Sequence, residues 1–305
     1  MKILVLGANG MLGHKMFQTL RERFPETYGT IRGCTADEPL NRIDLFQRGH
    51  IIEEMDASDF PSLEAFLRMR QPEFVINCIG IVKQRAAAED PIQSITINSL
   101  LPHILVRVCR EWGGRVIHIS TDCVFSGKQG GGHGYTEEEP TDAEDLYGQS
   151  KQLGEVAGET ALTLRTSMIG RELNNYASLL EWFLSRNHTR VSGYKRAFYS
   201  GVTTNHLAEV VGNVIEHHPR LSGLYHVASH TITKYKLLHL IRESFQMFVE
   251  ITPDENFFCN RSLNGERFHR ATGYVCPSWP ELIEQLAKDT TPYESWRYKY
   301  ETVGR

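Results

Sequence analysis

The chain has no cysteine pair at metal-ligand spacing, no large surplus of either charge, and no uninterrupted apolar run of bilayer length. Its six cysteines, at positions 34, 78, 109, 123, 259 and 276, include no C-x-x-C. That removes the usual zinc-site pattern, so no metal is expected. Several of them sit in apolar strand or helix patterns, as reduced cytoplasmic thiols do. A net charge of −4 over 305 residues argues against nucleic-acid and membrane-surface binding. A membrane span needs about 18 or more apolar residues in a row, and the N-terminus enters a strand pattern at once, so neither a span nor a signal peptide is expected. Repeats and low-complexity tracts are also absent. The length suits one large α/β unit or two intimately joined domains.

The N-terminus is the most informative stretch present. Ile3 to Leu6 is a continuous apolar run, as a strand buried on both faces requires. It enters Gly7-Ala8-Asn9-Gly10-Met11-Leu12-Gly13, glycines spaced G-x-x-G-x-x-G ahead of a helical pattern. Gly7 permits a tight turn, Gly10 a close approach of backbone to a pyrophosphate, and Gly13 close packing of helix on sheet. The helix amides would face the phosphates. Apolar strand patterns near 2–6, 26–31, 51–55, 74–78, 115–120 and 161–165 alternate with helical ones. The helices fall near 11–23, 61–70, 92–112, 145–157, 175–187, 205–217, 234–245 and 279–287. Gly223 to Ser229 reads as a late strand. This alternation predicts a doubly wound parallel sheet.

A second motif lies further on. The strand from Arg115 ends in Ser120-Thr121-Asp122-Cys123, and Tyr147 and Lys151 follow, one helical turn apart and so on one face. An ammonium beside a phenol favours the phenolate and would bring the tyrosine pKa towards neutrality. Tyr147 would then serve as a proton donor or acceptor in carbonyl–alcohol chemistry. The intervening Ser126 to Glu144 is rich in Gly, Glu, Asp and Pro and reads as an exposed loop.

These segments, with Asn77-Cys-Ile-Gly80, Asn98 and Leu164-Arg-Thr-Ser-Met-Ile-Gly170, resemble the extended short-chain dehydrogenase/reductases. The similarity is greatest to the dTDP-4-dehydrorhamnose reductase-like branch of nucleotide-sugar reductases. It implies a Rossmann domain over 1–166, rejoined by 201–229, and a smaller C-terminal substrate domain from 167–200 and 230–305. It further implies reduction of the C4 ketone of a nucleotide-linked 4-keto-6-deoxyhexose, in the cytoplasm, for surface polysaccharide synthesis. A homodimer is left open. Two other readings stay open. One is a nucleotide-sugar epimerase or epimerase-reductase; the other is a non-catalytic, NADP-binding regulatory subunit.

On this resemblance the cofactor contacts are Gly7, Asn9, Gly10, Met11, Leu12, Gly13, Asp56, Ala57, Cys78, Ile79, Gly80, Asn98, Ser120, Tyr147, Lys151 and Ser167. Asn98 would hold an ordered water behind the lysine, or else satisfy local backbone. An acid after the second strand would select NAD, and an arginine would accommodate the 2′-phosphate of NADP. Here Arg32 stands at that place with no acid before Asp37, so NADP(H) is expected, with NAD(H) as the alternative. Tyr147 would be the general acid and Lys151 its partner on the nicotinamide ribose. Thr121 would bind the substrate oxygen. Thr121-Asp122-Cys123 lacks the T-D-E acid pair of related dehydratases, which argues against dehydration. Cys123 is read as a packed thiol, with proton transfer as the alternative. Lys83, Thr121, Asp122, Cys123, Lys195 and Arg196 would contact substrate. At least one of Lys195, Arg196, Arg261 and Arg267 is expected on phosphate, because guanidinium forks suit a diphosphate.

Overall fold

The computed structural model describes the chain except for residues 38, 39, 48, 83–89, 129–132, 174, 175 and 298–305. Lys83 therefore lies outside the described residues.

Seven parallel strands form the central sheet. They are β1 (Ile3–Leu6), β2 (Thr27–Thr30), β3 (Ile51–Ile52), β4 (Phe74–Asn77), β5 (Arg115–Thr121) and β6 (Ala161–Thr166), and the late Gly223–His226 strand at the edge beside β6. The order, from one edge, runs β3-β2-β1-β4-β5-β6 and then the late strand. Chain direction through the sheet reverses between β1 and β4, which opens a crevice at the carboxyl ends of these strands. Side chains alternate across a strand, and β1 shows the result. Ile3 and Val5 pack with Met16, Phe17 and Leu20 of the helix Met11–Arg23 (α1), and with Leu207 and Val211 behind it. Leu4 and Leu6 pack on the other face with Leu63, Leu67, Leu101 and Leu105.

The remaining strands, in chain order, are β7 (Met168–Ile169), β8 (Arg190–Tyr199), β9 (Val202–Thr203), β10 (the Gly223–His226 strand), β11 (Ile232–Thr233) and β12 (Glu250–Asn260). β8 lies between β11 and β12 in a small sheet. Val191, Leu237, Ile241, Ile251, Trp279 and Leu282 form the core beneath it.

Several sequence expectations shift. The 51–55 strand shrinks to Ile51–Ile52, because Glu54 takes a positive φ of 53° that no strand tolerates. The 145–157 helix stops at Leu153, and the following Gly154 packs so tightly that a Cβ there would lie 1.8 Å from the Asn98 carbonyl oxygen. The 92–112 helix is composite, with a π-helical stretch at Ile95–Leu100 that carries Asn98. By length and composition, Pro91–Trp112 is long and apolar enough to cross a membrane, yet half of it is buried inside the protein. The 175–187 helix is reduced to Leu179–Leu184. β8 and β12 escaped the sequence reading. Charged residues interrupt the apolar alternation of β8, and most of β12 is exposed. Thr291 and Tyr293 dock on α1, where Thr291 Oγ1 accepts from Lys15 Nζ at 2.9 Å and Tyr293 Oη lies 2.8 Å from His14 Nε2.

Candidate active site

The turn after β1 is built by glycine in the way its spacing suggests. Gly7 has a φ of +76°, and a Cβ on Gly13 would stand 1.9 Å from the Gly7 carbonyl oxygen. α1 therefore lies directly on the turn. Its N-cap is Gly10, without a side-chain cap, and no acid occupies its first turn, so its positive end is open to an anion. Asn9, Met11 and Leu12 belong to this same turn and first helical residues. The open helix end and glycine turn suit a dinucleotide phosphate, and any larger residue at position 13 would force α1 off the Gly7 carbonyl.

Beyond β2, Arg32 is exposed. Asp56 accepts from the Ser58 amide at 2.9 Å and its hydroxyl at 2.7 Å. These bonds hold its carboxyl below the usual range, with the charge of Arg32 adding to them. Tertiary structure also brings in an acid absent from the β2 sequence. Glu53 accepts from the Thr35 amide at 3.1 Å and the Cys34 thiol at 3.2 Å. Ala57 is buried in the core.

At the end of β4, Asn77 is wholly buried and its Oδ1 accepts from the Ile79 amide at 3.1 Å. Burial pushes the Cys78 thiol up to about 12. Asn98 clamps the next segment by its backbone: Oδ1 accepts from the Ile81 amide at 2.9 Å and Nδ2 donates to the Ile81 carbonyl at 3.0 Å. The same Nδ2 donates to Ser150 Oγ at 3.1 Å. A Cβ on Gly80 would lie 3.5 Å from Asn98 Oδ1. Asn98 thus bonds distant rather than local backbone.

Thr121 ends β5 and caps the short turn Asp122–Val124, accepting from the Cys123 amide at 3.1 Å. Its hydroxyl donates to Asp122 Oδ1 at 3.2 Å. Asp122 is buried, which raises its carboxyl pKa against the pull of Arg261 and of hydrogen bonds from Thr121, Cys123 and Ser167. The helix Leu146–Leu153 is started by Asp145, whose side chain accepts from the Gly148 amide at 2.9 Å. A Cβ on Gly148 would sit 2.3 Å from the Cys123 carbonyl oxygen. This close approach brings Tyr147 to Thr121, which hydrogen-bonds its phenol.

Lys151, one turn on, is buried. Its Nζ donates to the Ile119 carbonyl at 2.8 Å and lies 3.3 Å from His118 Nε2. Burial pulls it down to about 8, opposed by the Glu155 and Cys78 charges. The expected lowering of the Tyr147 pKa is overturned here. Burial drives the phenol above its ordinary range, Cys123 and Asp122 push the same way, and only the Thr121 bond opposes them. The lysine is turned to Ile119 and His118 instead.

Ser120 does not join the Tyr147 group, because its hydroxyl donates to Glu155 at 2.7 Å. Lys195 and Arg196 lie exposed on β8, where Lys195 pairs with Glu255 at 2.6 Å and Arg196 lies over the Phe258 ring. Arg267 pairs with Glu138 at 3.2 Å. Arg261 does reach the site, donating from Nε to the Phe125 carbonyl at 2.7 Å and from Nη1 to Cys123 Sγ at 3.7 Å. Sequence reasoning also passed over two buried residues, His118 and Tyr199. The Tyr199 phenol is raised by burial and feels the Asp122 and Cys123 charges. For His118 the available signal was a polar residue inside an otherwise apolar strand pattern; Tyr199, on the charge-interrupted β8, carried none.

A parallel sheet with the β3-β2-β1-β4-β5-β6 order, a glycine cradle at its switch point and a Thr–Tyr–Lys group beside it define a Rossmann-type nucleotide-binding protein. The family model described as RmlD substrate binding domain matches residues 1–290, so the chain belongs to that family. It is 26% identical over 240 residues to a spore coat polysaccharide biosynthesis protein of Bacillus subtilis, covering 77% of this chain and 75% of that protein. It is 23% identical over 312 residues to the dTDP-4-dehydrorhamnose reductase of Escherichia coli, covering 95% and 98%. The fold matches the crystal structure of a Bacillus anthracis dTDP-4-dehydrorhamnose reductase in complex with NADP, with a TM-score of 0.77. That match has 21% identity and covers 95% of this chain and 99% of the other.

Proposed function

We propose that the protein is an NADP(H)-dependent reductase of the C4 ketone of a nucleotide-linked 4-keto-6-deoxyhexose, serving surface polysaccharide precursor synthesis. The observation that carries this reading is the Thr121–Tyr147 hydrogen bond at the carboxyl end of β5, with Lys151 buried one helical turn on, in the same parallel sheet whose β1 leads into the glycine turn. The relatives named above support the substrate class, and the NADP held by the B. anthracis enzyme supports the cofactor.

The cofactor would supply the hydride when bound. Gly7, Asn9, Gly10, Met11, Leu12 and Gly13 would hold its phosphates, Arg32 the 2′-phosphate, Asp56 and Ala57 the adenine end, and Cys78, Ile79, Gly80, Asn98, Ser120 and Ser167 the remainder. Thr121 would orient the ketone oxygen, and Asp122, Cys123 and Arg261 would border the sugar. As negative charge develops on that oxygen, Tyr147 gives it a proton. A phenol kept above its ordinary pKa is protonated at neutral pH, as this step requires. Lys83, Lys195 and Arg196 are proposed on the substrate side, where Lys195 would first have to leave Glu255.

The division of the chain proposed for these roles is a Rossmann portion over 1–166 and 201–229, the rest bearing substrate. Thiols rather than disulfides at all six cysteines support a cytoplasmic location. Exposed Ile92, Ile95, Leu100 and Leu153 support a homodimer. An epimerase-reductase is the second reading, favoured by the Arg261–Cys123 contact.

The test is a panel of nucleotide-linked 4-keto sugars with NADPH, followed by cofactor absorbance and product NMR. Stoichiometric NADPH oxidation with a C4 alcohol as product is expected, and Tyr147→Phe should lower turnover by at least about 100-fold. Cofactor recycling without net oxidation, or near-native turnover in the variant, would overturn the reading.

A further inference from the structure

His118 stands directly opposite Asn77 in the β4–β5 register, fully buried, and the chemistry above leaves it unused. Its neighbours dictate where its proton sits. The Ile79 amide donates to Asn77 Oδ1, so the oxygen of the Asn77 amide faces Ile79 and its Nδ2 faces His118. That Nδ2, 3.1 Å from His118 Nδ1, can only donate, and Nδ1 must accept. A neutral imidazole with an accepting Nδ1 carries its hydrogen on Nε2. This hydrogen is directed at Lys151 Nζ, 3.3 Å away. An ammonium offers three donors and no acceptor, whereas a free amine has a lone pair to receive it. The bond from Lys151 to the Ile119 carbonyl suits either form.

We propose that Asn77 and His118 are positioning residues that bias Lys151 towards the free amine in the cofactor-free protein, by presenting it with a hydrogen-bond donor. Charging Lys151 in this arrangement sets two N–H groups against each other. Shifting the imidazole proton to Nδ1 moves the conflict to Asn77. Turning the Asn77 amide then relieves His118 but leaves the Ile79 amide facing an NH2 group. The other titratable groups around the pair do not undo this. Glu155 favours a charged lysine, but Arg165 occupies both of its oxygens at 2.7 Å. Cys78 is a thiol that burial keeps protonated. His103, from the neighbouring helix, disfavours a charge on His118, as Lys151 itself does. Burial of Lys151 acts in the same direction as the pair.

The consequence for turnover rests on the reductase reading. A charged Lys151, one helical turn from Tyr147, would favour the phenolate left when Tyr147 gives up its proton, so the Asn77–His118 pair sets how high in pH the enzyme stays active.

Long-range ¹H–¹⁵N NMR of histidine-labelled, cofactor-free protein at about pH 9, above the Lys151 midpoint, reads the tautomer directly, and the His118→Leu spectrum assigns the signal. The expected result is a neutral His118 with hydrogen on Nε2; hydrogen on Nδ1, or an imidazolium, would overturn the proposal. No substrate is involved, so failure of the reductase reading leaves this result intact. Asn77→Asp offers an oxygen to both Ile79 and His118 and should move the hydrogen to Nδ1. It should also shift the alkaline limb of the kcat profile upward by about one pH unit or more. An unchanged tautomer in the folded variant would refute the mechanism, and if that variant does not fold, the wild-type tautomer still decides.

Discussion

Arg261 meets Cys123 across 138 positions of sequence, its Nη1 3.7 Å from the thiol sulfur while its Nε is anchored on the Phe125 carbonyl at 2.7 Å. The contact gives the cysteine a cation, which a proton-transfer role would use, but it also fixes the thiol in a packed corner. The nearby Tyr199 phenol is raised by burial and is a poor acid. Cys123→Ser is therefore expected to retain most 4-keto reduction and to lose about 1 kcal/mol of stability. Product made by the wild type in D₂O should carry no deuterium at C3 or C5. Deuterium there, abolished by the serine variant, would make the enzyme an epimerase-reductase.

Arg32 faces solvent with Asp56 in its field. If it receives the 2′-phosphate, NADPH should bind more tightly than NADH by about 1.5–3 kcal/mol, tenfold or more. Arg32→Ala should remove most of that preference. Fluorescence titration with both cofactors measures it, and equal affinities in the wild type would refute the assignment. Glu53, anchored on Cys34 and Thr35, is the acid that would then take the ribose.

Gly13→Ala tests the cradle. Its new Cβ would lie 1.9 Å from the Gly7 oxygen and 2.7 Å from the Gly7 carbonyl carbon, both backbone atoms that no rotamer can move aside. α1 must lift off the turn. NADPH affinity should fall at least about tenfold, and Tm should drop by several degrees. A native-like Kd in a titration would show that the turn does not hold the cofactor.

His14 is fully buried on α1, and burial drives its imidazole down to about 4, against the opposing pull of the Gly10 carbonyl and Asp289. It is neutral in the native state, whereas the unfolded chain binds a proton below about pH 6.5. Between these values the unfolded state holds more protons, so stability falls as pH falls, by up to about 3 kcal/mol. Urea midpoints at pH 7 and pH 4.5 should differ less in His14→Gln than in the wild type. An equal loss in both proteins would remove His14 from the account.

Asp289 adds a second acid-sensitive contact on the same helix. It pairs with Lys15 at 2.8 Å, both side chains 6% exposed. Burial raises the carboxyl, but the Lys15 hydrogen bond and charge outweigh that and hold it at about 2. This contribution is present above about pH 4 and is lost as pH falls towards 2.

The glycine turn and the Tyr147/Lys151 face were legible in the sequence because both are short-range. Gly7 and Gly13 act on backbone within one turn, and residues four apart on a helix share a face whatever surrounds them. The apolar runs of β1, β4, β5 and β6 were legible for a similar reason, since a strand buried on both faces must be apolar throughout. What lies between distant segments was not. β12 pairs with β8 across 60 positions and shows little apolar alternation of its own. Tertiary structure alone brought Arg261 to Cys123, placed Glu53 beside Thr35, and stacked His118 between Asn77 and Lys151. It also decided the electrostatics. The lysine motif predicts a lowered phenol pKa, but a pKa answers to burial and to the nearest hydrogen bond. In the fold those are Thr121 for Tyr147, and Ile119 and His118 for Lys151.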